Sequence, residues 1–242
     1  MKLACASGAF HRQFERGDLT QLEFLDLCAR DIACDGVVLD ARHFPRTDSD
    51  YLAQVKKMAT DLGLDVAAFC DETFFGGDEE AMRTALAHAL EVGAPILTAP
   101  LGGERERSWS DQLALLNAAT ALAKAVNVTI AVRNAPGTFA ASVHDCKRVS
   151  KEADSAWLRF GPDAQAFDAS GDPADLAART VFLWSVAGEQ TEVSTDAVFK
   201  AFPDFRGYVA IDEPSGTMTP ADATSATRTW RIALATKLLN HT

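Results

Sequence analysis

The chain has 242 residues, of which 48% are hydrophobic and 24% charged, and it carries a net charge of -11. This length and balance are typical of one globular domain with a substantial core, and they argue against disorder as the main state. The negative charge disfavours nucleic acid as a partner, because nucleic-acid binders usually carry basic stripes. With no apolar stretch near the roughly 18 residues of a membrane span and no secretory signal, we predict a cytoplasmic protein without a membrane segment.

Eight short runs rich in apolar and β-branched residues recur along the chain. Their spacing of roughly 30 residues suits one strand plus one crossover helix, which predicts parallel pairing. We therefore predict an α/β fold, a (β/α)8 TIM barrel, with residues 1–242 as a single domain. An open doubly wound sheet is the alternative, but no glycine-rich phosphate loop follows the first run. The runs begin near Lys2, Gly36, Asp65, Ala94, Asn127, Ala156, Val181 and Tyr208.

Amphipathic segments between these runs predict helices, and their ends carry capping signals. Thr20 stands three residues before Glu23, and Ser142 three residues before Asp145, so each pair can bind the free backbone amides of a helix start. Residues that tolerate a left-handed conformation mark the helix ends and lead directly into the next strand. These are Gly63, Gly93 and Asn127.

Alternation along the strands predicts which charges point into the barrel. In VTIAVRN the bulky side chains share one face, which leaves Arg133 on the inner face. The same alternation points Arg159, Asp212 and Asp40 inward. Buried charges need partners, so the cluster is either a structural salt-bridge network or a pocket for an anionic or hydroxylated small molecule, and we favour the pocket.

Further polar residues follow the strands, on the side of the barrel where sites form. Glu72 ends the third run and could act as a general base. His11 and His43 lie in the loops after the first two runs, and each either lines the pocket or is merely exposed. Asn134 could bind a ligand hydroxyl or serve only as a turn residue, and Trp184 could stack on a sugar ring or only fill volume.

Several segments resemble the xylose isomerase-like TIM barrel family, which includes sugar phosphate isomerases and epimerases. They are GVVLDARHFP, ALEVGAPILTAPLG, NVTIAVRNAPGTFAAS and FRGYVAIDEPSG, and they span nearly the whole chain in order. The resemblance implies the barrel fold and an isomerase or epimerase of carbohydrate metabolism. It also implies a small sugar or sugar acid as the ligand, and it leaves a homo-oligomer open.

The resemblance also implies metal-ligand positions, and most of them hold other residue types here. The family's ligands at the ends of strands five and six fall on Arg133 and Gly161, and a nearby His falls on Ala135. The strand-seven ligand falls on Trp184, or on Ser185 if the register slips by one residue. Asp212 alone keeps an acidic ligand type. One carboxylate does not make a divalent-cation site, so we predict no bound metal and no other cofactor.

Three functional hypotheses remain open at this point. The leading one is a metal-independent isomerase or epimerase of a small sugar, sugar acid or hydroxy-carbonyl compound, with Glu72 or Asp212 moving a proton and arginines stabilising an enediolate. Its main rival is a non-catalytic barrel that binds a sugar-like ligand or serves as an accessory subunit. The third places a relocated metal among His11, His43, Asp40 and Glu72.

Overall fold

A computed structural model of the chain describes residues 1–164, 166–167, 171–186 and 195–239. Eight parallel strands form a nearly closed barrel with helices between them, which confirms the predicted fold. The strands are β1 (Lys2–Ala6), β2 (Gly36–Asp40), β3 (Asp65–Cys70), β4 (Ile96–Pro100), β5 (Thr129–Arg133), β6 (Leu158–Phe160), β7 (Phe182–Val186) and β8 (Tyr208–Asp212).

Eight α-helices accompany the strands in the described part of the chain. They are α1 (His11–Arg16), α2 (Gln21–Leu27), α3 (Ser49–Asp61), α4 (Glu79–Glu91), α5 (Trp109–Val126), α6 (Val143–Ala153), α7 (Thr195–Ala201) and α8 (Pro220–Leu239). Short 3-10 turns cover Ser7–Phe10, Ala41–His43, Phe74–Gly76 and Pro173–Arg179, and a π-helical turn covers Cys28–Ile32. None of the described helices is both long and apolar enough to cross a membrane.

The strands pair in chain order, and β1 also pairs with β8. Between β6 and β7 the ladder is thin, with isolated bridges from Phe160 to Thr180 and from Asp163 to Trp184. Two backbone hydrogen bonds support this seam, from Val181 N to Phe160 O and from Trp184 N to Pro162 O. The prediction of one domain over 1–242 also covers residues 165, 168–170, 187–194 and 240–242, which lie outside the described residues, and it stays a prediction.

The predicted helix ends are confirmed by their backbone geometry. Thr20 with Glu23 and Ser142 with Asp145 each form a complete capping box. Gly63, Gly93 and Asn127 have positive φ angles of 73°, 84° and 57°.

Strands β4, β5 and β6 begin two residues later than predicted, at Ile96, Thr129 and Leu158. The left-handed residues Gly93, Asn127 and Asp154 reverse the chain before these strands. After each reversal the chain needs the next residues to reach the position of the strand, so these residues precede the hydrogen-bonded strand and are not part of it.

Because successive strand residues point to opposite faces of the sheet, the apolar side chains of the barrel form two layers. The outward residues of the strands pack with the helices in the main core, among them Ile130, Val132, Leu158, Val209 and Ile211. A smaller inner cluster fills the barrel and consists of Ala4, Ala6, Val38, Ala67, Ala68, Cys70, Phe182, Trp184 and Ala210. Many of these inner side chains are small, which leaves space at the carboxyl ends of the strands. All five cysteines are buried and free.

Candidate functional site

A cavity of about 420 Å³ opens at the carboxyl ends of the barrel strands, and we call it the central cavity. Its wall includes residues from the ends of most strands and from the loops that follow them. Charged side chains are prominent, with five carboxylates and two guanidinium groups. They are Asp40, Glu72, Asp163, Asp212, Glu213, Arg42 and Arg133.

Arg133 and Asp212 form an ion pair in the central cavity. The Nη2 atom of Arg133 donates to Oδ2 of Asp212 at 2.9 Å, and the two side chains are 18% and 8% exposed. The guanidinium lies 4.1 Å from the centre of the Trp184 ring. Burial is the largest single influence and would lower the pKa of Arg133, but the charge and hydrogen bond of Asp212, together with Cys70 and Asp163, outweigh it and hold that pKa above its usual value. The cavity therefore has a fixed cation with an aromatic ring beneath it.

A second ion pair joins Asp40, at the end of β2, to Arg42. Arg42 donates from Nε at 3.0 Å and from Nη2 at 2.6 Å to the two carboxylate oxygens. These hydrogen bonds raise the pKa of Arg42. The Nη1 atom of Arg42 also lies 3.9 Å from Glu72, whose side chain is 49% exposed. Glu72 is therefore the carboxylate of this group that is most open to solvent.

Gly8, just after β1, keeps space open between the two buried carboxylates. A Cβ atom built at Gly8 would lie 3.6 Å from Oδ1 of Asp212 and 3.6 Å from Oδ2 of Asp40. Such distances are ordinary contacts, so alanine would fit there but would fill part of the cavity. The glycine thus sets how closely a ligand can approach both carboxylates.

Asn134 positions the loop after β6. Its Nδ2 atom donates to the backbone oxygen of Asp163 at 3.1 Å, and its Oδ1 atom accepts from the backbone N–H of Asp163 at 2.8 Å. Asn134 and Asp163 both line the central cavity. Because both ends of the amide bind backbone, Asn134 holds the wall in place and is poorly available to a ligand hydroxyl.

Trp184 is 1% exposed, and Arg133 covers one face of its ring. Phe182 packs against the ring edge to face at 5.2 Å. This packing leaves Trp184 supporting the guanidinium rather than presenting an open face to a sugar. Its Nε1 atom and the Oγ1 atom of Thr98 have no hydrogen-bond partner among the described residues, although both residues line the cavity.

Three residues predicted from the sequence lie away from the central cavity. Arg159 donates to the backbone oxygens of Ser155 and Leu158, so its guanidinium is turned toward the start of β6, and it does not converge with Arg133. The register explains this, since Arg159 pairs with Ala131, two residues before Arg133. His11 and His43 lie together in a neighbouring cavity.

Sequence reasoning missed Arg42, Gly8 and Thr98 as wall residues. Thr98 carried a usable signal, because it is a lone polar residue at an inward position of an otherwise apolar strand. Arg42 and Gly8 lie in turns after strands, where alternation no longer predicts direction.

The sequence profile of the xylose isomerase-like TIM barrel family matches residues 28–190, more than half of the chain. The chain belongs to this family. A search of curated proteins finds no significant match.

Solved structures resemble the chain over nearly its whole length. An L-ribulose 3-epimerase has 15% sequence identity and a TM-score of 0.77, and the match covers 99% of this chain and 96% of that one. A probable 3-DHS dehydratase, AsbF of Bacillus anthracis, has 12% identity, a TM-score of 0.75 and coverage of 96% and 99%. The IOLI protein with a bound zinc atom has 13% identity, a TM-score of 0.75 and coverage of 98% and 99%. Identities this low show a shared fold alone.

The residues at the implied ligand positions do not fit a divalent cation. Arg133 carries a positive charge, Gly161 has no side chain, and Trp184 has no free electron pair to donate. Asp212 is the one carboxylate of the set, and Arg133 already binds it. Like charges about 4 Å apart repel by roughly 4 kcal/mol at an effective dielectric near 20, so a cation beside Arg133 is strongly disfavoured.

The four residues of the hypothetical relocated metal site lie in two different cavities. His11 and His43 line the neighbouring cavity, while Asp40 and Glu72 line the central one. Within the described part of the chain, no three His, Cys, Asp or Glu side chains are grouped so as to hold a metal ion.

Proposed function

We propose that the chain is a metal-independent isomerase or epimerase of a small hydroxy-carbonyl compound such as a sugar. The observation that carries this proposal is the buried pair of Arg133 and Asp212, with Trp184 under the guanidinium. This pair lies in the central cavity of the barrel, and one of the solved structures that the chain resembles is an L-ribulose 3-epimerase. A fixed guanidinium can stabilise a developing oxyanion without a metal, because it is a permanent cation with several N–H donors.

The proposed chemistry is proton transfer next to a carbonyl group. Glu72 takes the proton from the carbon beside the carbonyl, the electron pair of that C–H bond forms a carbon–carbon double bond, and the π pair of the carbonyl moves to its oxygen, which gives an enediolate. Arg133 stabilises the negative oxygen. An isomerisation is complete when the former carbonyl carbon receives the proton and the proton of the adjacent hydroxyl moves to the enediolate oxygen, so that the adjacent carbon becomes the new carbonyl. An epimerisation is complete when a second proton donor protonates the original carbon from the opposite face and the oxygen electron pair re-forms the carbonyl. Asp212 holds Arg133 in position and is the second candidate for moving the proton.

The charges in the cavity favour a neutral ligand over the sugar acid that the sequence left open. Five carboxylates face two guanidinium groups, and each guanidinium already binds a carboxylate. A further anion would meet uncompensated negative charge. Hydroxyl groups suit such a wall, because they can donate to carboxylate oxygens.

Thermal-shift measurements test this ligand class. We expect neutral aldoses and ketoses to raise the melting temperature more than the corresponding sugar acids at equal concentration, since only a ligand that binds the folded state stabilises it. A larger shift with the acids would contradict the proposed charge preference. No shift with either class would contradict sugar binding itself.

A non-catalytic sugar-binding barrel is the second candidate, and one observation favours it. Asp40 and Asp212, two buried carboxylates of the central cavity, are both already bound to arginines. If neither Asp212 nor Glu72 moves a proton, neutral sugars will stabilise the protein and emerge unchanged. Cytoplasmic location and the absence of a nucleic-acid partner remain predictions from the sequence, which leaves a homo-oligomer open.

A further inference from the structure

Neither the backbone nor the packing requires a glycine at Gly8. The residue lies in the 3-10 turn Ser7–Phe10, directly after β1, and its φ angle is outside the left-handed region. A Cβ atom built there meets nothing closer than 3.6 Å. Gly17 and Gly103 differ, because Gly17 has a φ of 74° and a Cβ atom at Gly103 would lie 2.1 Å from a backbone oxygen. What the missing side chain of Gly8 leaves is open space in the wall of the central cavity.

This space, which we call the Gly8 gap, lies between two carboxylate oxygens. Among the described residues beyond its chain neighbours, only Oδ1 of Asp212 and Oδ2 of Asp40 come within 4 Å of a Cβ atom built at Gly8. All three residues line the central cavity. A ligand group that enters the Gly8 gap therefore meets an acceptor on each side.

The Oδ1 atom of Asp212 is an open acceptor at the Gly8 gap. Arg133 donates to Oδ2 of the same carboxylate, and no described residue donates to Oδ1. Although the side chain is only 8% exposed, Oδ1 keeps accessible surface, whereas Nε1 of Trp184 is fully enclosed. Most buried polar side-chain atoms have a hydrogen-bond partner. An accessible carboxylate oxygen without one, in the wall of a cavity, points to a donor supplied by the ligand.

Asp40 has acceptor capacity left on the other side of the Gly8 gap. Arg42 supplies three donors to this carboxylate, from its backbone N, Nε and Nη2 atoms. A carboxylate has about four acceptor positions, so one remains. Hydroxyl groups on neighbouring carbons, each donating over about 2.7 Å, can bind Asp212 and Asp40 together.

Arg133 places hydrogen-bond donors beside the open oxygen of Asp212. Its Nη2 atom binds Oδ2 of Asp212, and its other N–H groups have no acceptor among the described residues. A carbonyl oxygen can accept from one of these groups while the hydroxyl on the adjacent carbon donates to Oδ1 of Asp212. An ammonium group in the same place would lie close to Arg133 and would be repelled. The pattern suits a neutral hydroxy-carbonyl compound with a further hydroxyl group.

We propose that the Gly8 gap selects a run of three oxygens, a carbonyl followed by two hydroxyl groups on successive carbons. The carbonyl oxygen accepts from Arg133, the first hydroxyl donates to Asp212 and the second donates to Asp40. Gly8 is the specificity-determining residue, because any side chain there occupies the place of the hydroxyl groups. This inference rests on the proposed function only in taking a neutral sugar as the ligand.

Calorimetric titration of deoxy sugars tests the inference. The probes are D-ribose, D-glucose and D-galactose, each beside its 2-deoxy and 3-deoxy analogue. We expect the wild type to bind at least one parent sugar about tenfold or more tightly than either analogue, because each analogue leaves one carboxylate without its donor. Gly8→Ala should weaken binding of that parent by about tenfold and change binding of the analogues by less than about threefold, since the added methyl group fills space that the analogues leave empty.

The stability of Gly8→Ala separates recognition from folding. Without ligand, this variant should melt at the temperature of the wild type or above it, because alanine restricts the unfolded chain. Gly76→Ala is the matched control, since nothing lies within 4 Å of its added Cβ atom, and it should bind every probe as the wild type does.

Three results would overturn the inference alone. They are equal binding of parents and analogues by the wild type, equal losses for parents and analogues in Gly8→Ala, and a lower melting temperature of that variant. Failure of all three parents to bind at tens of millimolar would contradict the neutral sugar ligand as well. Selective binding without hydrogen exchange beside the carbonyl would support the Gly8 gap and contradict the proposed catalysis.

Discussion

The Arg133 and Asp212 side chains depend on each other for their burial. Removing either one leaves the other as an unpaired charge in the central cavity, where it is largely shielded from water. Removing both leaves no such charge. Buried pairs therefore show a large cost for each single substitution and a small cost for the double substitution.

We expect Arg133→Met and Asp212→Leu each to lower the free energy of unfolding by about 2 to 3 kcal/mol, because each leaves a buried charge without a partner. The double variant should lie within about 1 kcal/mol of the wild type. Urea unfolding of the four proteins measures this. Arg83→Met, which breaks an exposed pair with Glu79, is the control and should cost under about 1 kcal/mol. Additive losses in the double variant would contradict the pair.

His43 gives the protein a specific dependence on pH. Its pKa falls from 6.5 to about 4 on folding, chiefly through burial. As the pH drops below 6.5, the unfolded chain takes up a proton that the folded chain does not, so stability falls until about pH 4 and then levels off.

We therefore expect the wild type to lose as much as about 3 kcal/mol over this interval through His43 alone, a loss that should be missing in His43→Gln. Urea unfolding between pH 4 and pH 7 measures the difference in slope. His144→Gln, at an exposed position on α6, is the control. Parallel slopes for the wild type and His43→Gln would show that His43 is not buried as described.

Residue types alone could predict only part of the site. Alternation correctly placed Arg133, Asp40 and Asp212 inward, because strand geometry is regular. It could not show that Arg159 lies one layer below Arg133, since that depends on the register with Ala131. Nor could it place His11 and His43 in a separate cavity, because loop side chains follow no fixed period.

At the scale of elements, the loops after β4 and β5 approach each other at two glycines. A Cβ atom built at Gly103 would lie 2.1 Å from the backbone oxygen of Gly137, where no side chain can fit. A backbone hydrogen bond at 2.9 Å from Phe139 N to Gly102 O joins the same loops. This contact fixes the wall that Asn134 and its neighbours form.

We expect Gly103→Ala to lower the free energy of unfolding by about 1 to 3 kcal/mol, because the two loops must move apart. Ligand binding in the central cavity should weaken as well. Gly76→Ala is the matched control, since nothing lies within 4 Å of its added Cβ atom. Equal stability of the two variants would mean that the loops are not in contact.

The elements themselves were largely predictable from the sequence. All eight predicted runs form strands, and the two capping boxes and three left-handed helix ends lie at the predicted residues, because each depends on local sequence. The starts of β4, β5 and β6 were less predictable, since apolar residues continue through the connection into the strand.

At the scale of the whole molecule, the barrel brings the ends of its strands to one cavity and supplies a guanidinium where the family resemblance implies a metal ligand. In the proposed reaction, Arg133 makes proton transfer independent of metal. If that holds, activity depends on this side chain and on a carboxylate, and added cations do not change it.

Deuterium uptake from D2O into neutral aldoses and ketoses, followed by proton NMR, tests that claim most directly. We predict that protein dialysed against a chelator exchanges the hydrogen beside the carbonyl, that added Mn²⁺, Mg²⁺ or Zn²⁺ leaves the rate unchanged, and that Arg133→Met abolishes it. Glu72→Gln or Asp212→Asn should lower the rate at least about a hundredfold, as expected for loss of a general base. Exchange that appears only when a divalent cation is added, or that persists in Arg133→Met, would contradict the account.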